Sequence, residues 1–174
     1  MKHLAVAILA LSMLTGTHAV AQDAAELNDL QIAHVAYTAD NIDIRYAHLA
    51  LALTSSPEVR TFAETMIRDH TAVNTAALDL LAKLNAQAQD NFLSQTLNAN
   101  AEKIIDDLSA LRGVEFDRAY AANELAYHQA VNGLVENMFL PNIDNAEVKA
   151  LFEQGLEIFK VHEGHAGNMV QALK

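Results

Sequence analysis

The chain has 174 residues, with 11 Lys or Arg against 22 Asp or Glu, so its formal net charge at pH 7 is −11. It contains no cysteine, which excludes a disulfide framework, a thiol nucleophile, a zinc knuckle and a cysteine-bound iron–sulfur cluster. The negative charge argues against nucleic acid as a partner. A composition that is 52% hydrophobic excludes a disordered acidic tail.

The N-terminal segment has the pattern of a secretory signal peptide, predicted over 1–21. Lys2 and His3 supply a basic start, Leu4–Leu14 is mostly apolar, and Ala19–Ala21 matches an A-x-A cleavage site. The apolar run is shorter than the about 20 residues that span a bilayer. We therefore expect export, most simply to the periplasm, with secretion or association with the outer membrane as alternatives. No transmembrane segment is expected after cleavage.

The residues after the predicted cleavage site predict one all-α domain, 22–174. Ala and Leu are abundant, and the β-branched alternation typical of strands is scarce. A first helix is predicted over about 23–54, because its apolar residues recur in steps of three and four. Ser56 and Pro57 then predict the N-cap and first residue of a second helix, over about 57–85.

Three more helices are predicted in the second half of the chain. A shorter one covers about 92–111, with Gly113 as its C′ terminator. A long helix follows over about 114–139, and the last is capped by Asp144 or Asn145. Four long helices joined by short loops predict an antiparallel four-helix bundle, and the short helix is then an insertion that packs on it.

One histidine occupies a position where the helical pattern favours an apolar side chain. His162 lies between Phe159 and Ala166 on the apolar seam of the last helix. A buried imidazole needs a partner for each ring nitrogen, whether a carboxylate, a hydroxyl, a carbonyl or a metal ion. His162 is therefore the most informative of the six histidines that follow the predicted cleavage site.

Three more polar residues lie near the apolar faces of the other long helices. Asp43 adjoins the seam of the first helix, His70 borders the stripe of the second, and His128 lies on the helix predicted over 114–139. An antiparallel bundle can bring these three residues and His162 into one layer. One oxygen and three nitrogens suit zinc, iron, copper or nickel. A hydrogen-bonded layer that sets the helix register would produce the same pattern.

Two further residues are lesser metal-ligand candidates. Glu124 lies one helical turn before the candidate histidine of its helix, and His165 follows the seam histidine of the last helix at a spacing of three. That spacing allows chelation. Gly164 and Gly167, however, predict a loosened final turn rather than a rigid site.

Several strings of residues are similar to those of a known family. They are Ile42–Ile44, Ser56–Ala63, Met66–Ala72 and Phe116–Tyr120. On these strings the chain resembles, over about 23–173, the bacterial exported family catalogued as domain of unknown function 4142. The resemblance implies a ferritin-like four-helix bundle and export, and it implies no established reaction.

Ferritin-like di-iron proteins hold their metals with inward glutamates and Glu-x-x-His pairs. No acidic residue lies three positions before any of the candidate histidines, where the chain has Ile67, Leu125 and Phe159. Arg45 stands where the family pattern has a second acid, which predicts a site poor in carboxylates. The di-iron signature is therefore missing, and the expected site is a mononuclear one that is richer in histidine.

The sequence leaves two kinds of function open. The first is a non-enzymatic exported bundle, related to the envelope or to stress, that acts by contacting an unknown protein or envelope partner. The second is a metal-binding protein that uses the candidate ligands for storage, buffering or redox work. An enzyme would also need an open coordination position and a pocket. A homodimer is a further alternative, with Tyr37 or Leu51 on an outer face as the contact.

Overall fold

The computed structural model describes residues 26–174, so the predicted signal peptide lies outside the described residues. The helices there are α1 Asp29–Leu53, α2 Pro57–Lys83, α3 Phe92–Ser109, α4 Gly113–Leu134, α5 Leu140–Asn142 and α6 Ala146–Ala172. A π-helical segment, Val135–Phe139, joins α4 to α5. Residues 26–174 contain no strand. None of the described helices is long and apolar enough to cross a membrane. The prediction of an all-α fold is confirmed.

Local sequence sets the starts of the long helices. Asn28 and Asn91 cap α1 and α3, each through a reciprocal capping box with the residue three positions on. Ser56 caps α2, with Pro57 in the first turn as predicted. Asn145 caps α6 and accepts hydrogen bonds from two backbone N–H groups of the first turn.

Three predicted details of the helix ends are wrong. α1 begins at Asp29 rather than near residue 23, because Asn28 caps it and residues 26–28 are not helical. α3 ends at Ser109. Gly113, predicted as its C′ residue, is instead the first residue of α4, where it has a left-handed φ of 57°. α6 continues to Ala172 without loosening at its glycines, because packing of its buried face outweighs the low helix propensity of glycine.

The helix predicted over 114–139 changes its winding before it ends. It is α-helical to Leu134 and then forms the π-helical segment, closed by a bond from the Leu140 N–H to the Val135 carbonyl. Pro141 follows in α5 and has no N–H to donate, and its ring clashes with the carbonyl four residues earlier in a regular α-helix. A wider turn just before the proline removes that clash and keeps the chain helical.

The four long helices α1, α2, α6 and α4 form a ring in which each is antiparallel to the next. α1 packs mainly on α2 and α4 mainly on α6, and contacts of α2 with α6 and of α1 with α4 close the ring. Thr54, just after α1, donates to Asp117 near the start of α4. At the other end, the Asn145 N–H donates to the Asp29 carboxylate over 2.8 Å. α3 packs on α1, as expected of an insertion.

The two residues predicted to lie on outer faces are not free apolar surface. Tyr37 and Leu51 are both half-buried. Leu51 packs against the hydrophobic core, and Tyr37 lines an apolar cavity between the helices. A homodimer through this face stays a prediction.

Candidate metal centre

A layer of ionisable side chains crosses the centre of the bundle. We call it the His–carboxylate cluster, and it consists of Asp40, Asp43, His70, Glu124, His128 and His162, each no more than 5% exposed. α1 supplies the two aspartates, α2 and α6 one histidine each, and α4 the glutamate and a histidine. Buried groups of this kind are costly unless each is paired or bound to a metal.

The three histidines of the cluster converge on a common space. Each of His70, His128 and His162 offers a ring nitrogen that lies within 4.8 Å of those offered by the other two. His70 Nε2, His128 Nε2 and His162 Nδ1 are buried and have no hydrogen-bond partner. Three buried imidazoles whose ring nitrogens lie this close together, each with one nitrogen that has no hydrogen-bond partner, suit a metal site, in which Zn–N distances are near 2.0–2.1 Å.

The other nitrogen of each ring is held by an acceptor. His70 Nδ1 lies 2.8 Å from Asp40 Oδ1, His128 Nδ1 lies 3.0 Å from the Glu124 carbonyl oxygen, and His162 Nε2 lies 2.9 Å from Asp69 Oδ2. Such outer hydrogen bonds orient metal-binding histidines and fix which nitrogen keeps its proton. All three rings of the cluster therefore have the bonding pattern of histidines that bind metal through the opposite nitrogen.

Two of the rings are neutral and present a lone pair to the cluster. A backbone carbonyl can only accept, so His128 Nδ1 carries the proton and Nε2 is free. Asp69, whose pKa Arg68 lowers most, is ionised and accepts from His162 Nε2, which leaves Nδ1 free. Burial lowers the pKa of His128 and lowers the pKa of His162 to about 4.

His70 differs because it lies between two carboxylates. Burial alone would lower its pKa, but Asp43 and Asp40 outweigh burial and raise the pKa to about 10. Burial would likewise raise the pKa of Asp43, yet the charge of His70 holds it below its ordinary value. Asp43 Oδ2 lies 3.1 Å from His70 Nε2 and 3.4 Å from His128 Nε2, without the alignment of a hydrogen bond. A cation between these atoms would replace the His70 proton.

Glu124 is a second carboxylate within reach of the same space. Its side chain is fully buried, and neither carboxylate oxygen has a hydrogen-bond partner. Burial, followed by the charge of Asp43, raises its pKa well above the ordinary value and so favours its neutral form. Asp43, Glu124 and His128 also offer donor atoms within 4.8 Å of one another. Glu124 is therefore positioned to act as a further ligand.

The structure brings together the four main candidates predicted from the sequence, and it places the two lesser ones apart from each other. Glu124 belongs to the cluster, whereas His165 is exposed on α6. The prediction of a site poor in carboxylates is wrong, because Asp40 and Glu124 are buried in the same layer as Asp43. Arg45 is not part of the cluster, and it pairs with Glu102 of α3 over 2.7 Å.

Sequence analysis missed the two carboxylates that support the rings from outside. Asp40 precedes Asp43 by three residues, a spacing that places both on one helical face. Asp69 directly precedes His70, so it lies on a different face and reaches α6 instead. Asp40 could have been predicted from its spacing to Asp43, whereas the contact of Asp69 with α6 depends on how α2 and α6 pack.

The lowered pKa of His162 predicts that the metal-free protein loses stability in acid. As the pH falls from 6.5, the ordinary value, to about 4, the unfolded chain takes up a proton on this ring that the folded chain does not. The free energy of unfolding therefore decreases in that window. We expect the urea midpoint of the wild-type protein to fall more steeply there than that of His162→Gln. Parallel pH profiles would contradict a buried neutral imidazole.

The fold and the cluster together define an all-α bundle with a buried histidine–carboxylate centre. The model of a family described as domain of unknown function (DUF4142) matches residues 14–169. The chain therefore belongs to this family, as its motifs indicated. No curated protein and no solved structure matches the chain.

Proposed function

We propose that this protein binds one transition-metal ion through His70, His128, His162 and Asp43. The observation that carries the proposal is a set of three buried imidazoles whose ring nitrogens converge and which each have one nitrogen without a hydrogen-bond partner. A purely hydrogen-bonded layer, the alternative left open by the sequence, would pair those nitrogens with one another or with neighbouring hydroxyls. An unpaired buried polar atom costs about 1–3 kcal/mol, and a bound cation removes that cost for several atoms at once.

The donor set narrows the identity of the ion. Three imidazoles and one carboxylate suit zinc, iron, copper or nickel, whereas ions that prefer only oxygen ligands, such as magnesium or calcium, fit poorly. Among divalent first-row ions, copper binds most tightly to a site of this kind. The ion that binds most tightly in vitro therefore need not be the ion that the protein carries in the cell. Four ligands also leave coordination positions for Glu124 or for an external molecule.

The metal content of purified protein tests the proposal directly. The protein should be purified without a histidine tag, stripped with a chelator, and refilled with zinc, iron, copper and nickel in turn. We expect about one ion per chain for at least one of these metals, because the converging donors enclose a single position. Failure of all four to bind stoichiometrically would contradict the proposal.

Metal binding should release protons in a way that identifies His70. At pH 7 His70 holds a proton that a metal must displace, since its pKa is about 10, whereas His128 and His162 are already neutral. We expect release of about one proton per ion, and of a second only if Glu124 also coordinates. Calorimetric titrations in buffers of different ionisation enthalpy measure the number. Glu124→Gln should abolish only the second proton, and no release at all would exclude His70 as a ligand.

We also propose that the protein acts outside the cytoplasm as a ferritin-like bundle without a di-iron centre. The support is the pattern of 1–21, and a ring of four antiparallel helices that each contribute to a central site is the arrangement of ferritin-like proteins. Sequencing the N-terminus of the exported protein tests its location outside the cytoplasm, and the first residue should be Gln22. Contact with an unknown protein or envelope partner stays a prediction.

A further inference from the structure

An apolar cavity of about 60 Å³, partly open toward the surface, lies between the helices next to the His–carboxylate cluster. All four long helices of the ring and the π-helical segment contribute to its walls. A smaller cavity of about 10 Å³ lies at the cluster itself, lined by Asp43, His70 and His128 among others. The two cavities share the wall residues Ala39, Asp40, Val131 and Phe159. The apolar space therefore adjoins the proposed metal ligands.

The walls of the larger cavity suit an uncharged occupant. Only Tyr37, Asp40 and Asn74 among its lining residues carry polar side-chain groups, and Asp40 is bonded to His70. The remaining lining residues are Ala, Val, Leu, Phe and one Gly. Water needs two to four polar partners to occupy a buried site, and apolar cavities stay dry while they take up xenon or small hydrocarbons. The volume matches a molecule of two or three heavy atoms rather than a metabolite.

Gly155 contributes to the size of this cavity. It lies in the middle of α6, where glycine lowers helix stability by about 1 kcal/mol relative to alanine. No backbone conformation requires it, because Gly113 is the one glycine with positive φ in residues 26–174. A Cβ at Gly155 would meet Phe159 at 3.6 Å and Val73 at 3.9 Å, which is ordinary contact. The absence of a methyl group at Gly155 therefore leaves space between α6 and α2.

We infer that this cavity binds a gas-sized, uncharged apolar molecule, of the class that includes dioxygen and nitric oxide, and holds it beside the metal ion. The placement beside a metal rests on the proposed function, whereas the binding of the apolar molecule does not. The shared walls give such a molecule a short path to the space between Asp43, His70 and His128. The inference also favours iron or copper as the resident ion, because zinc has no redox chemistry with such molecules.

Xenon, used on metal-free protein, tests whether the cavity binds a small apolar molecule. Dissolved xenon should shift the NMR signals of cavity methyl groups, such as those of Val73, Val135 and Leu156, and leave those of the buried Val59 unchanged. Gly155→Ala should weaken xenon binding severalfold, and the bulkier Ala77→Leu should abolish it. Gly164→Ala is the matched control, because it removes a glycine from the same helix where a Cβ meets nothing within 4 Å.

The xenon experiment has clear opposing outcomes. Shifts confined to the cavity methyls, reduced by Gly155→Ala and retained in Gly164→Ala, support the inference. Absence of these shifts, ordered water at the same methyls, or equal xenon affinity in all variants would overturn it. Unfolding curves of the variants show whether a lost signal reflects a lost fold, and Gly164→Ala and Gly155→Ala should both be at least as stable as wild type.

Nitric oxide tests whether the cavity serves the metal. Protein loaded with iron(II) is mixed with nitric oxide, and formation of the iron–nitrosyl signal is followed by its absorbance and electron paramagnetic resonance. Association should be severalfold slower in Gly155→Ala than in Gly164→Ala. Equal rates would overturn the link between cavity and metal. Failure to bind iron would contradict iron as the resident ion and leave the proposed function to the other three metals, while the xenon result still decides whether the cavity is a binding site.

Discussion

Replacing His162 by alanine should lower the affinity for the metal ion by more than about 100-fold, because the loss of a direct ligand exceeds the 10–100-fold effect usual for outer partners. His162 is the ligand contributed by α6, and its Nδ1 is buried and unpaired. Without it the ion would keep three protein donors, and the fourth position would open to water. Competition titration against a chromophoric chelator measures the affinity, and circular dichroism confirms that the helices persist.

His165→Ala is the matched control for that variant. His165 lies on the same helix three residues later, but it is exposed, so its removal should leave the affinity unchanged. Asp69→Asn should have an intermediate effect of about 10–100-fold, because it loosens the ring of His162 without removing a donor. Equal losses in both histidine variants would place the metal at the surface, and unchanged affinity in His162→Ala would remove α6 from the site.

Replacing Asp43 by asparagine should destabilise the metal-free protein by about 3 kcal/mol, whereas Glu124→Gln should change the stability by less than about 1 kcal/mol. Both substitutions turn a fully buried carboxyl group into an amide of the same shape. Asp43 is ionised opposite the protonated His70, so its loss leaves a buried cation with Asp40 as its remaining carboxylate. Burial favours the neutral form of Glu124, so replacing it by glutamine should remove little or no charge.

Urea unfolding of the two metal-free variants at pH 7 measures this difference. The loss for Asp43→Asn should lie at the low end of the range for a broken buried ion pair, because the hydrogen bond from His70 to Asp40 persists. Similar free energies of unfolding for both variants would show that the two carboxyl groups share one ionisation state. In the presence of a saturating metal ion the difference should widen, since Asp43 is then also lost as a ligand.

The sequence allowed the helices to be predicted well, and for identifiable reasons. The steps of three and four along α1 place Ile32, Val35 and Ile42 on the face that the structure buries. Ser56 with Pro57 predicted the start of α2, because the N-cap and first turn are decided by residues next to each other in the chain. The π-helical segment was missed, since the apolar pattern continues through it and the turn before Pro141 adjusts to packing.

The site was predicted in part. An imidazole that interrupts an apolar seam marks His162 as a candidate, and positions near such seams mark three other residues. Asp69 escaped because its partner lies on another helix, 93 positions away along the chain. Glu124 is only a lesser candidate from the sequence, because nothing in the sequence distinguishes a buried glutamate from a solvated one.

The sequence is sufficient to predict an all-α bundle with polar groups near the centre of its apolar faces. Those features follow from helical periodicity and capping, which depend on residues a few positions apart. Tertiary packing is what brings the three histidine rings together, favours the charged form of Asp43 and the neutral form of Glu124, and leaves an apolar cavity beside them. These properties depend on distances between helices and on burial, because both the ionisation of a group and the space beside it are set by what packs around it.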